Sequence, residues 1–311
     1  MIVTITLNPA YDHLLYLQDI DVGQMNRTHS TSQMPGGKGV NVASSLAILG
    51  EEVVATGFLG GQGSRIFEES LRKIGVTTNF IYINKEIRTD FYVIEEEQNR
   101  QTLFVEEGSS IELRFLNNFK SNFERLISSA DLVEIGGSLP KGVSPNFIKE
   151  LVQTANKKKV KVVLNVQEHI LKECLEGTSL FIVNPDLRGC ENLLGKNICD
   201  CKLLPEIAQE LISKGAEIVI LNSESFKYTV ANKTEVWEGE IEAGKSPNKL
   251  GVRDALLAGF IHNYLKTNNL GEALKYGLGA AVSTARNKMN YPNSTKEVEE
   301  FLLMAKVRKV N

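Results

Sequence analysis

Cysteine is too scarce here to hold a fold together. Cys174, Cys190, Cys199 and Cys201 are the only four in 311 residues, against the density that a disulfide-stapled secreted scaffold needs. Cys199 and Cys201 flank Asp200, but no second Cys or His pair stands at ligand spacing, so reduced thiols are expected and a zinc site is not. Histidine is equally sparse: His13, His29, His169 and His262 are scattered with no i, i+4 pair among them, which excludes a helix-borne metal motif. Charge of one sign is also missing. Lys and Arg number 35 against 38 Asp and Glu, a formal charge of −3, so no broad field attracts nucleic acid or anionic lipid, and neither is an expected partner. No stretch of about eighteen apolar residues occurs. The opening "MIVTITLNPAYDH" shows no basic segment leading into an apolar one, and a cytoplasmic location is the expectation. Repeats, low-complexity tracts and proline-rich linkers are absent too, which favours one main domain.

What is present is a 42% hydrophobic composition, enough to bury a large core. Short apolar runs such as "IVTITLN", "EVVATGFLG", "DLVEIGGSLP", "VKVVLNV", "LFIVNP" and "AEIVILN" alternate with amphipathic segments of about ten to fifteen residues. That rhythm predicts βαβ units around a mostly parallel sheet. "VKVVLNV" and "AEIVILN" are apolar throughout, as strands covered on both faces are. One segment breaks the pattern: "IRTDFYVIEEEQNRQTLFVEEG" reads as a hairpin turning at Gln98 to Arg100. With "HLLYLQDI" and "NRTHSTSQ" it predicts a small antiparallel flap, a device that covers a ligand and excludes water.

Two helix starts carry candidate chemistry. "MPGGKGVNVASSLAILG", Met34 to Gly50, crowds Gly36, Gly37, Lys38, Gly39 and Asn41 into one helix entrance. Unpaired N–H groups and the partial positive charge of a helix start bind anions, and glycine lets a ligand come close. The same glycines also suit a tight turn with positive φ. "KLGVRDALLAGFIHNYL" sets Gly251, Val252, Arg253 and Asp254 at the head of a strongly apolar helix. Asp254 reads either as a cap or as a base facing a substrate hydroxyl, and composition does not choose.

"TLNPAYD", "PGGKGVNVA", "GFLGG", "GGSLP" and "GVRDALLAGF" stand in the order and spacing of the ribokinase-like sugar kinases. The chain is most similar to the phosphofructokinase B branch, which phosphorylates fructose 1-phosphate, tagatose 6-phosphate or fructose 6-phosphate. The resemblance runs from the first residues to about Ala285. It implies an α/β fold over residues 1–311, a central, mostly parallel sheet flanked by helices. It also implies a β-lid from segments of about 12–34 and 87–107, and a homodimer formed through that lid. ATP and Mg²⁺ are the implied cofactors, a phosphorylated sugar the partner substrate. On the sugar side the resemblance implies that Asp12, Gly37 and Asn41 bind hydroxyls. Lys38, Arg27 and Arg88 would hold the substrate's existing phosphate, and Ser138 would line the pocket; arginine suits phosphate because its planar fork pairs bidentately.

The nucleotide side departs from the pattern. Where the branch has Asp-Thr-x-Gly-Ala-Gly-Asp, this chain has "NKLGVRD": Asn248 and Lys249 replace Asp-Thr, and Arg253 replaces the second glycine. "NPDLRG" stands for Lys-Pro-Asn-x-x-Glu, with Gly189 where the glutamate tied to magnesium belongs. "LNSESF" stands for Ser-Leu-Gly-x-x-Gly. Asp254, Gly251 and Arg253 remain the implied catalytic residues. Asn184, Asp186, Asn222, Ser223, Gly251, Val252 and Arg253 are the implied ATP contacts, with no metal ligand assigned. If residue 253 needs positive φ, either Arg253 is strained there or the loop is reshaped. Two functions follow as expectations: a kinase with Asp254 as base, or a weakly catalytic sugar-phosphate sensor with a degenerate nucleotide site.

Overall fold

A computed structural model describes residues 1–187, 192–197, 201–224, 226–244 and 248–310; Gly189, Cys190, Cys199 and Asp200, named above, lie outside them, as do Arg188 of "NPDLRG" and Ser225 of "LNSESF". The chain opens with β1 (Ile2–Thr6), then β2 (Ala10–Leu17) and β3 (Ser30–Gly36), and returns through helix α1 (Lys38–Ile48) to β4 (Val53–Gly60). Helix α2 (Ser64–Lys73), β5 (Thr77–Thr78), β6 (Ile81–Ile83) and the hairpin β7 (Arg88–Glu95) and β8 (Arg100–Val105) follow. The expected alternation then appears: α3 (Leu113–Leu126), β9 (Leu132–Gly136), α4 (Pro145–Lys157), β10 (Lys161–Asn165), α5 (Glu168–Leu175) and β11 (Leu180–Val183). A small hairpin, β12 (Asn192–Leu193) and β13 (Lys196–Asn197), leads to α6 (Leu204–Ser213) and β14 (Ala216–Glu224). The remainder is β15 (Lys227–Ala231), β16 (Val236–Glu240), α7 (Val252–Thr267), α8 (Leu270–Ala285), α9 (Thr295–Phe301) and β17 (Lys306–Val310).

The main sheet runs β17-β16-β15-β14-β11-β10-β9-β1-β4-β5. It is parallel from β14 to β5 and antiparallel among β14 to β17. Residues alternate between its faces. Val3 and Ile5 join Phe119, Phe147 and Ile148 on one side, while Ile2, Leu132 and Val163 pack with Leu46, Leu256 and Phe260 on the other. Along this second face the strands change character toward their carboxyl ends. Ile2 is followed by Thr4 and Thr6, Leu132 by Glu134 and Gly136, and Val163 by Asn165; Glu134 lies between Thr4 and Val163, and Gly136 beside Asn165. The carboxyl ends of parallel strands are where α/β sheets bind ligands. α1 and α7 start over that polar end, and α7 can lie there because it is buried along most of its length, with Gly259 giving α8 close approach.

The lid is a separate sheet in the order β3-β2-β7-β8. β2 pairs antiparallel with β3 and β7 with β8, but β2 and β7 run parallel, so the sheet is mixed and not the wholly antiparallel flap that the sequence predicted. Leu14, Tyr16, Met34 and Ile94 form its own apolar cluster, joined by Leu250 from the loop that leads into α7. The lid is thereby packed onto the entrance of the helix that carries Asp254.

Candidate active site

Gly37 caps α1 with φ +107°, a backbone conformation that side chains rarely adopt. Gly39 serves a different need: an added Cβ would lie 2.5 Å from the Ile5 carbonyl oxygen and 2.6 Å from Thr6 Oγ1, so its glycine lets α1 sit directly on the end of β1. Both glycines therefore answer to the backbone. Chemistry falls to the side chains between and after them.

Asn41, 4% exposed, donates from Nδ2 to Asp254 Oδ2 at 2.8 Å. Asn165 at the end of β10 donates to Asp254 Oδ1 at 3.0 Å. Asn290, in the turn after α8, donates to Asn41 Oδ1 at 2.8 Å and to the Pro35 carbonyl at 2.7 Å, fixing the amide's orientation. Asp254 occupies the third position of α7 behind the cap Gly251, and α7 has no side-chain cap bond. The cap reading thus loses to a carboxylate held by two amides from other elements. Each oxygen keeps acceptor capacity for a hydroxyl. Gly251 has φ +71°, and an added Cβ would meet the Asn290 carbonyl oxygen at 2.1 Å. Arg253 is not among the residues with positive φ, so the conditional strain at this position does not arise. The backbone N–H groups of Val252, Arg253 and Asp254 have no acceptor among the described residues, as expected of a helix start.

Lys38, assigned by resemblance to the substrate phosphate, lies 3.0 Å from Asp186 Oδ2 and 3.3 Å from Asn165 Oδ1. Asn184 Nδ2 reaches the same Asn165 oxygen at 3.3 Å. Asp186 Oδ1 is 3.7 Å from Arg253 Nη1. Asn165 and Asp186 thus draw Lys38, Asn184, Arg253 and Asp254 into one connected group. Asn222 ends the regular part of β14 beside an irregularity in its pairing with β15, and Ser223 follows it. Asn248, in place of the family's aspartate, donates to the carbonyls of Asn287 and Met289 at 2.9 and 3.1 Å and accepts from the Leu250 N–H. It ties the α7 entrance to the turn bearing Asn290.

On the sugar side Asp12 is 1% exposed, and its Oδ2 has no partner among the described residues. Its neighbour in register on β7 is Asp90. Burial first, then the charge of Asp90, hold the Asp12 carboxyl well above the usual range, against the pull of Arg88. Arg88 pairs with Asp90 at 2.7 Å and donates to the Asn8 and Glu106 carbonyls. Asn8 in turn donates to Ser138 Oγ at 3.2 Å. Arg27 stands apart: it is exposed in the loop between β2 and β3, with no ion pair among the described residues.

Sequence reasoning passed over four neighbours. Glu134 is 0% exposed, and neither oxygen has a hydrogen-bond partner among the described residues. Burial, then the charge of Asp254, push its carboxyl well above its ordinary value, with Lys38 opposing. An acid inside the apolar run "DLVEIGG" was a legible signal. Tyr228, buried on β15 and pushed up to about 12 chiefly by burial, also feels Arg253 and Asp254. Asn165 ends an apolar strand, a weak signal. Asn290 had none.

No group of three His, Cys, Asp or Glu able to hold a metal occurs among the described residues. One carboxylate beside phosphate oxygens is nevertheless a usual setting for Mg²⁺, so Asp186 fits a cation carried on a nucleotide. A helix start with open amides, two cations and a buried, amide-held carboxylate at the carboxyl edge of a parallel sheet is an arrangement suited to phosphoryl groups. The comparisons agree. The sequence model of the pfkB family carbohydrate kinases matches residues 5–296, and the chain belongs to that family. It is 28% identical to a tagatose-6-phosphate kinase of Staphylococcus epidermidis, covering 100% of both chains. A Thermotoga maritima structure described as a possible 1-phosphofructokinase is 30% identical, with TM-score 0.90 over 100% of this chain and 99% of that one. Phosphofructokinase-2 of Escherichia coli, solved with substrates and products, shares the fold at 21% identity and TM-score 0.88, covering 97% and 98%. Among the described residues no helix is long and apolar enough to cross a membrane.

Proposed function

We propose that this carbohydrate kinase transfers the γ-phosphoryl group of ATP to a free hydroxyl of a phosphorylated ketohexose: fructose 1-phosphate, tagatose 6-phosphate or fructose 6-phosphate. The observation that carries the reading is the Asp254 carboxylate, oriented by Asn41 and Asn165 at the open start of α7. Asp254 takes the hydroxyl proton as the sugar oxygen bonds to the γ-phosphorus and the bond to the β-phosphate oxygen breaks, ADP leaving with that electron pair. The α7 amides, Lys38 and Arg253 offset the charge on the transferring group. Mg²⁺ on the nucleotide supplies neutralisation of its phosphates, with Asp186 as the carboxylate toward it. Asp12 accepts sugar hydroxyls, which supply the partner its buried oxygen lacks. Arg88 and Ser138 serve the sugar's phosphate end. Exposed Phe104 and Val105 on edge strand β8, 58% and 59% exposed, support pairing of two lids in a homodimer.

Steady-state turnover with MgATP and each of the three sugar phosphates, run beside calorimetric binding of each sugar, tests the reading. Turnover of one of them is expected. Tight sugar-phosphate binding without turnover would replace it with the sensor reading.

A further inference from the structure

Lys38 on α1 and Arg253 on α7 come from the two halves of the site, yet one carboxylate engages both. Asp186 Oδ2 lies 3.0 Å from Lys38 Nζ, and Oδ1 lies 3.7 Å from Arg253 Nη1. Its side chain is 8% exposed and that of Lys38 is 14% exposed, so neither charge is cheaply left alone. The backbone holds Asp186 in position: its N–H donates to the Val166 carbonyl at 2.9 Å, and it bridges Gln167 in parallel. Arg253 is the adaptable member, 41% exposed and beyond hydrogen-bond distance.

A phosphoryl group approaching the start of α7 meets cations that already serve a carboxylate. To use them, a bare polyphosphate must draw Lys38 and Arg253 from Asp186 and come to rest beside its negative charge. A polyphosphate carrying a divalent cation turns positive charge toward that same carboxylate. We propose that Asp186 is a specificity-determining residue: it competes with phosphoryl oxygens for Lys38 and Arg253, and so makes the site select metal-bound over metal-free nucleotide. The inference rests on the phosphoryl-transfer reading of this site.

The test is equilibrium calorimetry of ATP in excess EDTA and of MgATP, on the wild type and on Asp186→Asn. In EDTA the variant is expected to bind ATP about tenfold more tightly, the scale of one charge-assisted contact released. MgATP affinity is expected to hold or fall, so the preference for the metal-bound form shrinks by at least that factor. Asp186→Ser, which removes the charge with a different side chain, should shift metal-free ATP in the same direction and carries the test if the Asn variant does not fold. Loss confined to MgATP, with metal-free binding unmoved, would make Asp186 an ordinary metal contact and overturn the proposal. Parallel loss of both forms would make it structural and overturn it equally. Wild-type protein that binds neither form would sink the kinase reading itself, and this inference with it.

Discussion

Around Asp254 the contacts are hydrogen bonds from neutral amides to a carboxylate, 2.8 and 3.0 Å long, among residues almost shut off from solvent. Around Asp186 they are ion pairs of 3.0 and 3.7 Å, one of them to a side chain 41% exposed. Amide donors have fixed directions, and Asn290 locks one of them from behind, so the first region holds one geometry. Ion pairs have shallow angular preference and re-form with any anion at hand, so the second can change partners. A catalytic base needs the former and a phosphate cradle can use the latter.

The sharpest break of this comparison is Asp254→Asn. It keeps the shape of the rigid region while removing its proton acceptor, so kcat should fall by roughly 10² or more with sugar-phosphate affinity nearly unchanged. Equal losses in affinity and kcat would mean that Asp254 binds substrate instead of accepting its proton.

Gly251→Ala attacks the rigidity itself. The new Cβ meets the Asn290 carbonyl oxygen at 2.1 Å with φ at +71°, and a destabilisation of about 3 kcal/mol is expected from strain and overpacking. The urea midpoint reads it, and an unmoved midpoint would show the Asn290 turn to be yielding. Arg253→Gly probes the adaptable region. Its φ is already negative, so no strain is relieved; MgATP affinity should drop by about fivefold, near 1 kcal/mol for a partly exposed charge. A gain in MgATP affinity would contradict the unstrained backbone.

The smallest effect is a slope against pH. Glu134 sits on the same sheet face as the amide network, and burial, then the charge of Asp254, raise its carboxyl against the opposing pull of Lys38 and Asn165. A raised acid contributes stability that is fully present below its unfolded value, near 4.5, and lost as pH rises through the folded one. Glu134→Gln should therefore match the wild type near pH 4 and become the more stable of the two as pH climbs to 8, by urea denaturation at each pH. Parallel curves would mean that Glu134 titrates normally.

Much of this was open to reading before any coordinate. Apolar runs alternating with amphipathic segments predicted the parallel sheet, and the hairpin with its turn at Gln98 to Arg100 predicted the lid. The main sheet and the β7–β8 hairpin held because periodicity is a local property that a strand or helix expresses wherever it is packed; the parallel pairing of β2 with β7, between distant segments, was not legible. The glycines were legible as a helix entrance, but not their division of labour. Gly37 answers to its own φ, whereas Gly39 answers to the Ile5 carbonyl, a contact across two elements. For Asp254, cap and base looked alike, because a helix position says nothing of what faces it.

The sequence by itself determined the elements, the family and the residue types available to the site. Only the tertiary structure decided which of them meet. Asn165 and Asp254 are 89 positions apart, and Asn41 and Asn290 are 249 apart. No local pattern encodes such pairings, since they arise where parallel strands end on one edge and two helices begin above it. The same holds for Asp186. Its carboxylate gains a role from Lys38 and Arg253, which burial and topology bring to it from opposite ends of the chain.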